Sequence, residues 1–281
     1  MKRILSSTAF VACLTLAPGI IAHAQSGFFA SWENRVRETT SRQPGWAVPV
    51  VAPHSGIVQL LRSDLLRQYA STGTLTMNYD NGKGVDLIPF QRTEVDIDFP
   101  PYIQHNALKS ADGAGDFSAV LKYRLFSGNE VHGNYSVSAQ LLTTWATGSH
   151  KNGVASTTFT PTIVAGKGFG KLDFQSSVGG MTPTHTFNTI GRTISWNNVM
   201  QYRFKKIFWP ELETNSTFYF QGPHDGKNQT FLTPGLMVHR IKLLSDERNR
   251  LALSVGGGMQ IATSSYHGYN HGLVFTARVA F

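Results

Sequence analysis

The chain has 281 residues, of which 41% are hydrophobic and only 15% charged, with a formal net charge of +8. Beyond the first two dozen residues it has no run of about 18 apolar residues, which excludes a helical membrane span and leaves strands as the only means of insertion. The basic residues form no long block, which argues against a nucleic-acid partner.

Residues 1–24 have the pattern of a cleaved signal peptide. Lys2 and Arg3 form a basic start, an apolar stretch covers 4–21, and a small-x-small site at 22–24 precedes Gln25. A membrane anchor is the alternative, but the segment is short for a span. The sequence therefore predicts export.

Cys13 is the only cysteine and lies within the predicted signal peptide. The mature chain should contain neither a disulfide nor a reactive thiolate. Cleavage would leave 23 basic and 17 acidic residues, a net charge of +6.

Residues 25–54 lack strand alternation and form a predicted N-terminal extension. Residues 28–36 could make a short amphipathic helix, which Pro49 and Pro53 would follow. A cap, a plug of the lumen and a disordered tail remain open for this extension.

From residue 55 to 281 the main signal is a period of two, in segments of about ten residues separated by Gly, Asn, Asp and Ser. In residues 134–146 the apolar positions, from Tyr135 to Trp145, alternate with polar ones. Ten tilted residues rise about 25 Å, the height of the apolar band of an outer-membrane barrel. The fold class predicted is all-β, a closed antiparallel transmembrane β-barrel.

Counting such segments gives about twelve strands, within a range of ten to fourteen. An even number returns both termini to the periplasmic side. Residues 57–69 fit a helical spacing nearly as well as a strand, and Pro161 and Pro234 lie inside good strands, where a bulge is expected nearby. Asn198 interrupts an otherwise apolar face.

The last strand alternates up to Phe281, the final residue. Chain ends usually fray in water, so an amphipathic strand ending in an aromatic residue fits a membrane barrel better than a soluble protein. The terminal Phe resembles the signal read by the barrel-assembly machinery, which is therefore an expected partner, together with outer-membrane lipids.

Seven charged residues are predicted to line the lumen and to contact a small solute. Glu94, Asp96 and Asp98 should face Lys122 and Arg124 across the next strand, and Glu213 and Arg278 lie on the polar faces of later strands. These charges could brace a narrow barrel or form a constriction that selects solutes by charge.

An enzyme is a weaker hypothesis. Ser264, Ser265, His267, Asn270 and His271 cluster near a predicted outer loop, where they could serve a lipid hydrolase, or His267 and His271 could bind a metal. No hydrolase spacing is present, and no catalytic residue, metal or cofactor is predicted. The glycines at 166–168 and 256–258 match no phosphate loop; they indicate a tight turn and a strand that leaves room in the lumen.

Several segments together resemble a family of outer-membrane proteins named for the MetA pathway of phenol degradation. They are 89–92, 100–105, 122–125, 160–162 with 166–168, 209–213 and 232–235. The similarity spans about Pro49 to Phe281. It implies an outer-membrane β-barrel that helps hydrophobic or aromatic compounds across the membrane, and it supplies no catalytic residues.

The sequence thus predicts a channel or passive transporter for a small solute in the outer membrane, without enzymatic activity. Three alternatives remain: an outer-membrane lipid hydrolase, a closed structural or adhesive barrel, and a secreted β-sandwich that needs no membrane.

Overall fold

A computed structural model describes residues 23–107, 110–245 and 250–281. The predicted signal peptide lies outside the described residues apart from its last two. Within the described ranges, no helix is both long and apolar enough to cross a bilayer.

The described chain begins with one helix and continues almost entirely as strands. The helices are α1 (His23–Ser41) and the short α2 (Phe187–Ile190), with a 3-10 turn at Gly222–His224. The strands are β1 (Leu60–Tyr69), β2 (Leu75–Asp80), β3 (Gly84–Phe90), β4 (Thr93–Asp98), β5 (Tyr102–His105), β6 (Gly113–Ala114), β7 (Ser118–Gly128), β8 (Tyr135–Thr144), β9 (Thr158–Phe169), β10 (Leu172–Pro183), β11 (Arg192–Tyr202), β12 (Phe208–Phe220), β13 (Asn228–Lys242), β14 (Ala252–Ala262) and β15 (His271–Ala280).

These segments form a closed antiparallel ring. β1 pairs with β15 over ten residues, from Leu60 opposite Ala280 to Tyr69 opposite His271, so the sheet has no open edge. Three of the strands that cross the barrel wall each consist of two consecutive segments: β2 with β3, β4 with β5, and β6 with β7. The fifteen segments therefore form twelve crossing strands. The predicted closed barrel of about twelve strands is confirmed.

The two ends of the barrel differ. The end where α1, Leu60 and Ala280 lie is called the terminal end, and the opposite end, with residues 145–157 and 263–270, the loop end. The turn between β9 and β10 at the terminal end is only Gly170–Lys171, with Gly170 at a φ of +65°.

The wall has an apolar outer face and a polar inner face. On β10 the outward Val178 is 52% exposed, whereas the inward Gln175 and Ser177 are 1% and 2% exposed. Strand side chains alternate between faces, so the sequence period of two becomes a barrel with polar groups inside and apolar groups outside. This is the pattern of a transmembrane barrel.

Exposed aromatic side chains form two rims around the outer face. Near the terminal end these are Phe90, Phe126, Tyr135, Phe169, Tyr202 and Phe204; near the loop end they are Phe99, Tyr102, Trp145, Phe159 and Phe220. Aromatic rings favour the boundary between hydrocarbon and water, so the rims mark the limits of the apolar band.

Asn198 lies on the outer face, where its polar side chain is satisfied by the neighbouring strands. Its Oδ1 accepts a bond from Ser176 Oγ at 2.9 Å, and its Nδ2 donates to Thr214 Oγ1 at 3.2 Å. The register places these three residues side by side, which explains how the apolar face accommodates the interruption.

The structure corrects two local expectations. Neither Pro161 nor Pro234 produces a bulge: the ladder loses pairs beside each proline and resumes in the same register. The register shifts instead at three other places: between Leu87 and Phe90, between Arg124 and Phe126, and between Val238 and Ile241. Residues 57–69, ambiguous in sequence, contain strand β1 from Leu60 onward.

The outer face provides a test of membrane exposure. Val178→Arg, in the middle of β10, should lower the free energy of unfolding in lipid by about 2–4 kcal/mol, because a guanidinium would meet hydrocarbon. Unfolding in vesicles by urea, followed by tryptophan fluorescence, measures this. Val131→Arg is the matched control, since Val131 lies in a terminal-end turn and is 87% exposed. Equal effects of the two substitutions would contradict the membrane-facing assignment.

Candidate functional site in the barrel lumen

Residues 43–59, here called the luminal segment, enter the barrel and return to the same end. The Gln43 amide binds both backbone groups of Ile57: its Nε2 donates to the carbonyl at 2.7 Å, and its Oε1 accepts the N–H at 3.0 Å. The stretch between them is a re-entrant loop within the terminal half of the lumen.

One side of the luminal segment packs against an apolar wall. Trp46, Ala47 and Val50 form a buried cluster with four inward residues of the barrel: Leu66, Trp209, Met237 and Val274. Gly166 on β9 leaves the space for this passage, because a Cβ there would lie 2.5 Å from the Trp46 ring. The glycines at 166 and 168 therefore belong to a strand and not to the tight turn expected from sequence.

Side chains of the wall accept the backbone N–H groups of the luminal segment. Glu211 accepts from Val50 at 2.9 Å, and Glu213 accepts from Val51 at 2.9 Å and from Ala52 at 2.7 Å. Further along, Gln175 Oε1 accepts from Ser55 at 3.0 Å and Glu94 accepts from Val58. A segment without helix or strand pairing thus satisfies its buried donors through the wall.

Basic and hydroxyl side chains bind the carbonyl groups of the same segment. Arg62 donates to the Val50 carbonyl at 2.6 Å, and Arg278 donates to those of Val48 and Pro49, the latter at 2.6 Å. The hydroxyls of Ser136 and Ser138 both donate to the Ser55 carbonyl. Charged groups of both signs therefore hold the luminal segment from several directions.

Of the predicted acid–base set, only one pair meets directly. Lys122 Nζ lies 2.7 Å from Glu94 Oε1, and both side chains are buried. Asp98 accepts from Ser118 at 3.1 Å, and Asp96 lies opposite Val120 on one neighbouring strand and Asp86 on the other. The expectation that all three acids face Lys122 and Arg124 is wrong, because β4 places a basic residue opposite Glu94 alone.

Arg124 lies at the terminal end, beyond the reach of those acids. It donates to the Thr39 carbonyl at the end of α1 at 2.7 Å and to Gln43 Oε1 at 2.8 Å. Arg124 thus fastens the helix and the start of the luminal segment to the wall. All seven predicted residues lie on the inner face, and Glu94, Arg124, Glu213 and Arg278 bind the helix or the luminal segment.

The sequence interpretation missed several luminal residues. The buried Arg62–Asp64 pair, 2.6 Å apart, lies in the segment whose helix or strand character was unresolved. Alternation places Glu211 and Gln175 on the polar sides of their strands, but neither they nor Asp86 are among the seven predicted lumen-lining residues. If every second residue of β1, β3, β10 and β12 is assigned to the inner face, all of these residues are placed in the lumen.

Two cavities flank the luminal segment. The loop-side cavity holds about 190 Å³ and is lined by Lys83, Asp86, Asp96, Asp98 and Lys122 among others. The terminal cavity holds about 50 Å³ and is lined by residues including Gln43, Trp46, Arg240, Arg250 and Arg278. Val48, His54 and Val58 line both cavities and separate them.

His54 is the polar member of this partition. It lies outside the strands and is 5% exposed, and neither ring nitrogen forms a hydrogen bond of normal geometry in the described structure, although the backbone of Gly56 lies beside the ring. Burial lowers the pKa of His54 well below its usual value, and the charge of Lys122 lowers it further. The ring is therefore neutral between the two cavities.

Above the luminal segment, the loop half of the lumen carries uncharged polar groups. Asn197 donates to Ser177 Oγ at 3.0 Å, Asn215 donates to Asn197 Oδ1 at 3.2 Å, and Thr233 donates to Asn215 Oδ1 at 3.4 Å. These four residues form a ladder on the inner face of adjacent strands. Ser177 and Thr233 are buried, whereas Asn197 and Asn215 are half-buried and can exchange hydrogen bonds with water or with a polar solute.

The outer-loop cluster does not assemble as a hydrolase would require. Ser264 Oγ donates to the Tyr266 carbonyl at 2.7 Å, and the His267 ring contacts Asn270 Oδ1 at 2.9 Å. His271 stacks on Tyr69 with ring centroids 4.6 Å apart. Within the described loop, no serine hydroxyl is paired with a histidine base, and the described chain has no group of His, Cys, Asp and Glu able to hold a metal.

The luminal segment can be tested through Glu213. In a Val51→Cys background, Glu213→Ala should speed maleimide labelling about tenfold or more, because it removes two charge-assisted hydrogen bonds worth about 1.5–3 kcal/mol each. Labelling rates measured by mass spectrometry report this change. Glu130→Ala is the control, since Glu130 forms a partly exposed pair with Arg203, 2.6 Å away. An unchanged rate in Glu213→Ala would show that the acid does not hold the segment.

No protein-family model matches the chain, and no curated protein matches it in sequence. Solved structures do share its fold. An outer membrane channel from Pseudomonas putida F1 superposes with a TM-score of 0.52 and 14% identity, covering 84% of this chain and 100% of its own. The NanC porin superposes with a TM-score of 0.50 and 11% identity, covering 78% of this chain and 98% of its own. At these identities the likeness shows the fold alone, and the resemblance to the phenol-degradation family stays a prediction.

Proposed function

We propose that the chain is an outer-membrane channel for a small polar solute, and that the luminal segment keeps its lumen narrow. One observation supports this most directly: the closed ring is apolar outside and polar inside, and its lumen contains two cavities that share one thin partition. Two solved structures of similar fold are a channel and a porin, which is consistent with the proposal.

The proposed route begins at the loop end and follows the ladder of Ser177, Asn197, Asn215 and Thr233. It then enters the loop-side cavity, which is lined by four acidic and three basic side chains, passes the partition at His54, and reaches the terminal cavity with its arginines. Because charged side chains line both cavities, the route favours a polar solute. The hydrophobic or aromatic solute implied by the family resemblance fits this lining less well.

Passage requires movement of the luminal segment. The contacts that hold it are hydrogen bonds and apolar packing, both reversible, and the partition consists of Val48, His54 and Val58. The structure is thus a narrow state of the proposed channel. Displacement of the loop from Glu211 and Glu213 would join the cavities.

The outer membrane is the proposed location, with the terminal end toward the periplasm. The first residue of β1 and the last residue of β15 both lie at the terminal end, as an even number of strands requires. β15 is paired up to Ala280, and the carbonyl of Phe281 accepts a bond from Gln59 Nε2 at 3.2 Å. Recognition of Phe281 by the assembly machinery, like the signal peptide, is part of this proposal.

Single-channel recording in planar bilayers tests the function. The wild-type protein should give small or infrequent steps, and Glu211→Ala with Glu213→Ala should raise the open fraction several-fold by releasing the luminal segment. Glu130→Ala should match the wild type, because it changes a carboxylate outside the lumen.

Liposome swelling with small neutral and charged solutes provides the second measurement. A folded barrel that gives neither conductance nor swelling, in the wild type and in the double variant alike, would leave a closed structural barrel as the better explanation.

A further inference from the structure

The terminal cavity differs from the rest of the lumen in its charge. Arg240, Arg250 and Arg278 line it, together with His54 and His239, and no carboxylate is among its described lining residues. Within the described residues, none of these arginines forms an ion pair with an acid. Positive charges gathered in a confined space repel one another, so the cavity favours an anion.

A bulge in β13 brings two consecutive residues to this cavity. Between Val238 and Ile241 the register shifts by one residue, and Arg240 takes a φ of +56°. In a regular strand, consecutive side chains point to opposite faces, so only one of two neighbours would face the lumen. Here His239 and Arg240 both line the cavity. Bulges commonly redirect a side chain next to a functional site. A non-glycine residue at positive φ costs free energy, which contacts with the surrounding structure must offset.

Hydrogen-bonding groups without partners converge on the same cavity. Nε2 of His239 and Nη1 of Arg250 are buried without a partner in the described structure, and the buried ring nitrogens of His54 form no hydrogen bond of normal geometry although the backbone of Gly56 lies beside the ring. Buried polar groups are rarely left unsatisfied, so several such groups around one cavity indicate a bound molecule or ion. Burial, and then the charge of Arg240, lowers the pKa of Arg250 to about 10, so its guanidinium remains charged at neutral pH.

From these observations we propose that the terminal cavity binds the carboxylate group of a small organic anion. The planar forks of Arg240 and Arg250 match the two oxygens of a carboxylate, and the imidazoles of His54 and His239 can each donate one further bond. Each of the three guanidinium nitrogens of Arg278 already donates one hydrogen bond, to Thr276, Val48 and Pro49, so Arg278 contributes mainly its charge.

The size of the cavity limits the ligand. A volume of about 50 Å³ has room for roughly three to five waters, which suits one carboxylate group and a short chain. The rest of a larger solute would have to extend past the partition at His54 or out of the terminal end, where Arg240 is exposed. Acetate is therefore the simplest probe.

The inference deepens the proposed channel function by naming a class of solute, and it rests on that function for the route of the anion into the lumen. Binding itself can be measured without transport. Failure of one claim therefore leaves the other testable.

Calorimetric titration of the folded protein in detergent with sodium acetate, against sodium chloride at equal ionic strength, measures the site. We expect saturable acetate binding accompanied by a change in tryptophan fluorescence, because Trp46 lines the cavity. Arg250→Gln should weaken acetate binding about tenfold or more. Arg67→Gln is the matched control, because Arg67 is exposed on the outer face near the loop end and stacks on Tyr69.

The outcomes separate the claims. Saturable binding lost in Arg250→Gln and kept in Arg67→Gln supports the site even if bilayers show no conductance. Conductance without acetate binding supports the channel and overturns the site, as does equal binding of chloride and acetate. Asp246 and Glu247 lie outside the described residues. If Asp246→Asn with Glu247→Gln is needed before acetate binds, these acids neutralise the arginines and the proposal fails.

Discussion

Hydrocarbon offers no partner to a backbone N–H or carbonyl, and this constraint determines the architecture. The ten-residue pairing of β1 with β15 removes the last free edge of the sheet, so every crossing strand is bonded on both sides. Once the ring is closed, alternate side chains must enter a confined lumen. Their charges then need partners inside the protein.

The luminal segment supplies many of those partners. Glu94, Glu211 and Glu213 accept from its N–H groups, while Arg62 and Arg278 donate to its carbonyls. Backbone dipoles thereby stabilise charges that would otherwise be buried at a cost of several kcal/mol each. The same contacts narrow the proposed solute route. The hydrogen bonds that stabilise the buried charges are therefore also the ones that keep the channel closed.

Much of the fold followed from the period of two, because alternation is a local property of the sequence. Closure, the approximate strand number and the inward position of residues such as Glu94 and Arg278 were therefore predictable. The contacts of Arg124 with Thr39, and of Glu213 with Val51 and Ala52, were not, since they join residues far apart in sequence through a segment without periodicity. The bulge that brings His239 and Arg240 to one cavity likewise leaves no pattern that alternation can reveal.

The clamp of Gln43 on Ile57 has a kinetic consequence. It ties together two points fourteen positions apart, so residues 44–56 remain tethered at both ends if they leave the wall. A tethered loop stays at a high effective concentration beside its binding groups, and its return is an intramolecular event that does not depend on protein concentration. Openings of such a barrel would end by rapid recapture of its own chain.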